Sequence, residues 1–370
     1  MLGWRVVFVQ DKHGVSLHWL WLAQRLRPVR DFPLIHTSMN LNLHYLVIGA
    51  GLAGLSAART LRQAGLSVYV VDKSRGVGGR MSTRRGEGWV CDHGAQYFTA
   101  RDAGFRAEVA RWQQAGVAAP WSPRIVVIDA HGVREAGERT ERFVGVPGMT
   151  APARLLAEHL RVQTGMTITG LRRDADGWRA VCAEQGELEA RFDGVVLAVP
   201  APQAAPLLAP VSPRLATAAS RARMEGCWSV MLRFDQALDL PFDAAFVNEG
   251  PLRWVARNSG KPGREGQEAW LLHASAAWSE AHLEAEAELV AQALIDAFMA
   301  LGGERSQGWS AHRWRYAITE SAVDGGCLWC PDEGIGVCGD WLNGGRVEGA
   351  WLSGRGLGRE MVRSFEALAR

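Results

Sequence analysis

The sequence predicts an α/β protein: a discontinuous Rossmann-type domain carrying a second α+β domain with a mixed or antiparallel sheet. Three observations support it. A strand, a glycine turn, a helix and a second strand follow one another from Tyr45 to Asp72. Near the other end, "GIGVCGD" (334–340) again reads as a strand closing on an acid, followed by a glycine-opened helix. Between about 201 and 308 the texture changes to longer strands and one long helical stretch.

Each element has a local reason. Tyr45–Ile48 is a short apolar run, and "LAGLSAARTLRQAG" has helical spacing that stops at Gly65. "LSVYVVD" is rich in β-formers and ends on Asp72. A helix is expected over 102–116, a strand over 123–133, and a helix opened by Pro-Gly over 147–161. Two strands joined by "DADG" occupy 165–183, and a buried strand over 192–202 stops at proline. Strands at 227–234 and 269–275 and a helix over 279–302 complete the middle. The expected partition is 44–100, 142–200 and 306–370 for the first domain, with 101–141 and 201–305 for the second. Residues 1–43 read as an extension, disordered or a mis-called gene start, because a dinucleotide fold usually begins at its first strand.

Composition excludes several classes. The chain has 370 residues, enough for two domains, and a formal net charge of +2, which offers nothing to nucleic acid. "SLHWLWLAQRL" is too short to span a bilayer and lacks the features of a secretory signal, so no membrane partner and a cytoplasmic location are expected. Six cysteines at 91, 182, 227, 327, 330 and 338 do not form a secreted disulfide pattern. "CLWC" (327–330) reads as ordinary thiols, and no metal site is expected. Sixteen tryptophans are many; some belong to the core, and a large planar ligand would want such walls. Oligomeric state is open, with a monomer favoured.

The glycine turn carries the chemistry. Gly49 allows a tight turn, Gly51 lets a pyrophosphate approach the backbone, and Gly54 allows close helix–strand packing. Phosphates would sit at the helix N-terminus, with Asp72 on the ribose hydroxyls. The following "DKSRGVGGRMSTRR" (72–85) adds Gly76, Gly78 and Gly79 between Arg75 and Arg80. A second flexible stretch with guanidinium groups suits an extended, tightly held FAD better than an exchangeable nicotinamide cofactor.

The array GAGLAG, DKSRGVGGRM, "DHGAQYFTARD" (92–102), "ARNSGKPGR", "HRWRYA" and "GVCGDWLNGGRVEGAWLSG" (336–354) resembles the bacterial renalase family, within the broader monoamine-oxidase-like flavin group. The likeness runs from about residue 44 to the C-terminus. It implies non-covalent FAD held by Gly49, Gly51, Ala53, Gly54, Asp72, Lys73, Arg75, Gly79, Arg80, Met81, Asp340, Arg346, Val347, Glu348, Gly349 and Ala350. The helix start at Val347–Ala350 would face the pyrimidine end of the flavin and favour its reduced, negative form. The implied reaction passes a hydride from 2- and/or 6-dihydro isomers of NAD(P)H to FAD, giving NAD(P)⁺ and, with O₂ as electron acceptor, H₂O₂. A dihydronicotinamide expels its own hydride, so the site needs walls more than a base.

Gln96, Tyr97, Trp314 and Tyr316 are the candidates for those catalytic walls. Arg253, Arg257, Arg313 and Arg315 are candidates for the substrate's phosphates, and His312 for a ligand contact; Cys91 and His93 are not expected to bind flavin covalently. Two rival functions stand beside this one. Polyamine-type amine oxidases carry a lysine near the flavin, and here no lysine follows Lys261, though Lys261 itself is open. A flavin redox sensor would want an added signalling segment.

Overall fold

The computed structural model describes residues 43–137 and 140–368. The expectations for the N-terminal extension up to residue 42 lie outside the described residues.

A six-stranded sheet has the order Cys327–Cys330, Ile335–Cys338, Gly194–Leu197, His44–Ile48, Ser67–Asp72, Arg161–Thr164. All its neighbours are parallel except the first pair. Its central strands are apolar throughout, as burial on both faces demands: Val47, Val70, Val196 and Val337 are fully buried. On one face lie the helices Leu52–Gln63 and Val347–Leu368. They approach closely because a Cβ on Gly354 would fall 1.9 Å from the Ala53 carbonyl oxygen, so only glycine fits there. Ser56 Oγ donates to the Trp351 carbonyl at 3.0 Å and fixes their register. The other face is covered by helix Ala201–Leu208 and the three-stranded sheet Ile168–Asp174, Gly177–Cys182, Gly186–Glu187.

The second domain is a seven-stranded mixed sheet. Its order is Gly308–Ser321, Arg223–Phe234, Glu268–Ala274, Leu252–Arg257, Ala244–Val247, Ile125–Asp129, Gly132–Glu135. Neighbours are antiparallel apart from Ala244–Val247 with Ile125–Asp129. Helix Ala287–Ala300 packs on it through Val290, Ala291, Leu294 and Phe298, against Trp270 and Phe234. A discontinuous Rossmann-type domain plus an α+β domain is the architecture.

Three expectations need correction. The stretch 308–321, expected in the first domain, pairs instead with Arg223–Phe234 in the second sheet, so Trp314 and Tyr316 stand on the second domain. The helix expected over 147–161 spans only Ala151–Ala157; Glu158 turns extended, and Arg161–Thr164 adds an edge strand beside Ser67–Asp72. The helix expected over 279–302 is two, Ala276–Ala281 and Ala287–Ala300. The break frees Glu284 to take ion pairs from Arg313 and Arg315. Helix Ala103–Gln114 starts as the sequence suggests, with Asp102 accepting from the Gly104 and Phe105 N–H groups at 2.8 and 3.0 Å.

Candidate active site

One cavity of about 1,490 Å³ runs from the first glycine turn to the second sheet. Its cofactor end is built on the turn Gly49–Gly54. Gly49 has φ +108°, and a Cβ there would lie 2.5 Å from the Ala198 carbonyl oxygen. On Gly54 it would lie 1.9 Å from the Gly49 oxygen. Gly51 is different: it lines the cavity, and its Cβ would meet no protein atom within 4 Å. The turn is thus sterically closed at two glycines and open at the third, beside a helix start with no side-chain cap. That is a cradle for a phosphate.

The second glycine stretch docks on the first. The Gly78 N–H donates to the Ala50 carbonyl at 2.9 Å, and Gly78 bridges Gly51. Asp72 lines the cavity while accepting from the N–H groups of Ala50 (2.6 Å) and Ser74 (2.7 Å). Ala53, Lys73, Gly79, Arg80, Met81, Asp340, Arg346, Val347, Glu348 and Ala350 also line it. Arg75 does not; it is exposed, outside the wall. Gly54 and Gly349 serve packing instead, for a Cβ on Gly349 would stand 1.9 Å from the Asn343 oxygen.

Two charged groups are occupied by protein partners. Arg80 grips Asp340 with both terminal nitrogens, at 2.9 and 2.5 Å, and donates to the Ala317 carbonyl. Glu348 accepts from the N–H groups of Arg101 and Asp102, both at 2.7 Å. These residues shape the wall, and the first N–H groups of the Val347 helix, which precede its first intrahelical bond from Ala350 to Arg346, suit a negatively charged ligand.

These features fit FAD: an open glycine cradle, a second backbone stretch, and a second helix start at the far end of a long cavity. The fold and site define an FAD-dependent oxidoreductase. Residues 126–360 match the family model for flavin containing amine oxidoreductase, and 47–109 match an NAD(P)-binding Rossmann-like domain. The chain belongs to the flavin containing amine oxidoreductase family.

Among curated relatives, an L-amino-acid oxidase of Siganus canaliculatus is 41% identical over 86 residues, 22% of this chain. The match spans only 16% of that relative's length. Cyclohexylamine oxidase from Brevibacterium oxydans IH-35A superimposes with a TM-score of 0.69 at 13% identity, covering 88% of this chain and 100% of that one. A putrescine oxidase bound to putrescine gives 0.65 at 15% identity, covering 87% and 99%. At such identities the likeness establishes the fold.

All four residues expected as catalytic walls border the cavity. Tyr97, Trp314 and Tyr316 line it. Gln96 lines it too, yet its amide is spent within the protein: Nε2 donates to the carbonyls of Asp92 (2.7 Å) and Gly94 (3.0 Å), and Oε1 accepts from Lys261 (3.1 Å). The Gln96 amide is thus held by the protein at both its nitrogen and its oxygen. The Tyr97 ring lies 5.7 Å from Trp254 and under the Arg142 guanidinium. Trp314 donates from Nε1 to the His93 carbonyl at 2.8 Å and packs on His312 at 4.3 Å. Of the four arginines, Arg253, Arg313 and Arg315 line the cavity, whereas Arg257 is turned to Glu268 at 2.8 Å.

Sequence reasoning missed Arg142, Phe246, Trp254 and His273, all in the wall. Only Trp254 carried a signal, through its neighbour Arg253.

Charge is arranged unevenly. Among the described residues the acids of the wall are Asp72, Asp340 and Glu348, all at the cofactor end. The remainder of the wall carries Arg142, Arg253, Arg313 and Arg315 with His273 and His312. Burial pushes both histidines down to about 4, with Arg84 assisting at His312, so they are neutral at pH 7.

All six cysteines are buried free thiols. Burial raises Cys327, with Glu360 adding to it, to about 12, which makes it a poor nucleophile. Cys327 and Cys330 share one edge strand, and Cys327 faces Cys338 across the ladder. Among the described residues no helix is long and apolar enough to cross a membrane.

Proposed function

We propose that this protein oxidises 2- and/or 6-dihydro isomers of NAD(P)H, as the resemblance to bacterial renalases implies. Bound FAD would supply the hydride acceptor, with O₂ taking up the electrons as H₂O₂. The observation that carries the reading is the charge of the cavity wall beyond the cofactor end: among the described residues it presents Arg142, Arg253, Arg313 and Arg315, the last two sharing Glu284 from outside the lining, with two neutral histidines and no carboxylate in the lining itself. Such a wall attracts a substrate with a pyrophosphate and repels an ammonium group. Tyr97, Trp254, Trp314 and Tyr316 supply flat apolar surface that orients a planar ring and excludes water. Burial holds His273 and His312 down to about 4, which makes them weak bases, in keeping with a donor that needs none.

Amine oxidation is the second reading, and the family and the two structural neighbours favour it. Against it stand the cationic wall and Lys261. That lysine is fully buried, paired with Asp92, and absent from the cavity lining.

The test is anaerobic bleaching of the flavin band in stopped flow, with 6-dihydroNAD, 2-dihydroNAD, NADH, cyclohexylamine, putrescine and L-amino acids mixed separately. Rapid bleaching by an isomer, with NAD⁺ as product, is expected. Bleaching by an amine or amino acid alone replaces this reading with the second.

A further inference from the structure

Only three of the chain's 41 basic residues are lysines, and one of them, Lys261, is sealed inside. Its side chain, that of Arg264 and that of Asp92 all have zero exposure. Asp92 Oδ2 accepts from Lys261 Nζ at 3.2 Å and from Arg264 Nη2 at 2.5 Å. The other oxygen accepts from Thr83 Oγ1 at 2.7 Å and from the Met149 N–H at 3.1 Å. Burial works against the Asp92 charge, yet the two cations outweigh it and hold the carboxyl below its ordinary range. A buried ion cluster adds little net stability over apolar packing, so its presence invites a reason other than stability.

The reason lies at a further contact of the ammonium, which also stands 5.4 Å from the centre of the Trp121 ring. Lys261 Nζ also donates to Gln96 Oε1 at 3.1 Å, across 165 residues of sequence. Gln96 in turn ties back to the carbonyls of Asp92 and Gly94. The segment so held, Gly94–Phe98, lines the cavity at every position. It is wedged against the cofactor segment: the Ala95 N–H donates to the Arg80 carbonyl at 2.8 Å, and a Cβ on Gly94 would lie 2.0 Å from that oxygen.

The loop that delivers Lys261 is itself anchored. Asn258 accepts from the Asp92 N–H at 3.1 Å and donates to the Val90 carbonyl at 3.0 Å. The chain from anchor to cavity wall is therefore continuous and buried.

We propose that Lys261 is a positioning residue: acting through Gln96, it sets where the Gly94–Phe98 wall stands against the bound FAD. An ammonium suits this place because it is a compact donor that can reach a carboxylate and an amide together. Methionine at 261 would fill the space and leave the Gln96 oxygen without its donor. Leucine at 96 would remove the strut and leave Lys261 on Asp92.

The test uses the full chain loaded with FAD and the variants K261M, Q96L and K261M/Q96L. Visible circular dichroism of the bound flavin, its midpoint potential and the melting temperature are measured on each. Both single variants are expected to shift the dichroism band and the potential in one direction. The double variant should shift them no further than the larger single, because both act through one contact. A K261M protein that melts earlier but keeps the wild-type band and potential overturns the proposal, as does a double variant whose shift equals the two singles combined. Should K261M fail to fold, Q96E serves, since it keeps an acceptor for Lys261 and loses both amide donor bonds. A shift like that of Q96L is expected, and a wild-type band refutes. None of these readouts depends on which substrate the enzyme takes.

Discussion

Gly51→Ala separates the space that the protein needs from the space that FAD needs. Gly51 has φ −74° and ψ 178°, extended backbone open to any residue, and its added Cβ meets nothing within 4 Å. The methyl group therefore strains no part of the apoprotein. Reduced freedom of the unfolded chain should stabilise it by about 0.4–1 kcal/mol. In a chain of this size that raises the melting temperature by no more than about 2–4 °C.

The same methyl occupies the open floor of the phosphate cradle. Losing one or two charge-assisted N–H bonds to phosphate, at about 1.5–3 kcal/mol each, removes about 1.5–6 kcal/mol of FAD binding. That corresponds to a dissociation constant raised about 10- to 20,000-fold. Gly54→Ala is the contrast: its Cβ would stand 1.9 Å from backbone oxygen, so apoprotein stability and FAD binding should fall together. The assays are calorimetry on FAD-stripped protein and flavin fluorescence titration. A Gly51→Ala protein that binds FAD as tightly as wild type refutes the cradle, and one whose apoprotein melts well below wild type refutes the steric argument.

Other consequences follow from the same geometry. Arg253→Ala and Arg315→Ala should each raise the KM for a dihydronicotinamide dinucleotide by about 5- to 10-fold with kcat little changed, and weaken its salt dependence, measured by steady-state oxidase assay. Because His273 and His312 stay neutral down to about pH 4, the rate of flavin reduction should be flat from about pH 5.5 to 8 in stopped flow. Stability should not be flat. A histidine at about 4 when folded and 6.5 when unfolded takes up its proton first in the unfolded chain. Its contribution is whole above pH 6.5 and is lost as pH falls toward 4, which a melting series across that window would register. Asp92→Asn leaves Lys261 and Arg264 facing a neutral amide in a site of zero exposure. About 3–5 kcal/mol of stability should vanish in urea unfolding.

What the sequence discloses and what it conceals divide along a physical line. The glycine turn at 49–54, Asp72 and the helix start at Val347 are legible because each is a demand of local backbone on a residue type. Glycine at 49 and 54 is required by atoms a few ångströms away, whatever the rest of the fold does. The edge strand Arg161–Thr164 and the sheet membership of Gly308–Ser321 are decided by long-range pairing, which no local spacing records. Gln96 is the clearest case. Its motif position beside Tyr97 suggests a substrate contact, while its amide oxygen is bound by Lys261, 165 residues away, a partner no local spacing reveals.

Cavity charge follows the same logic and bears on the choice of substrate. A net charge of +2 over 370 residues says nothing of a wall, because 39 acids nearly balance 41 basic groups. Folding sorts them: Glu268 is drawn away with Arg257, Glu284 pairs from outside the lining with Arg313 and Arg315 inside it, and Asp92 is buried under two cations. The lining beyond the cofactor end keeps its arginines and none of those acids. Among the described residues, an ammonium substrate entering there would have to shed water beside guanidinium groups with no lining carboxylate to receive it, while a pyrophosphate meets Arg142 and Arg253 and competes with Glu284 for Arg313 and Arg315. Glu284 makes the point testable: Glu284→Gln removes the one carboxylate shared by Arg313 and Arg315, so it should lower the KM for an anionic dinucleotide and raise it for any amine that reacts. A change of the opposite sign in steady-state assays would mean that the two arginines face the substrate only through their partner, and the electrostatic case for an anionic substrate would fall.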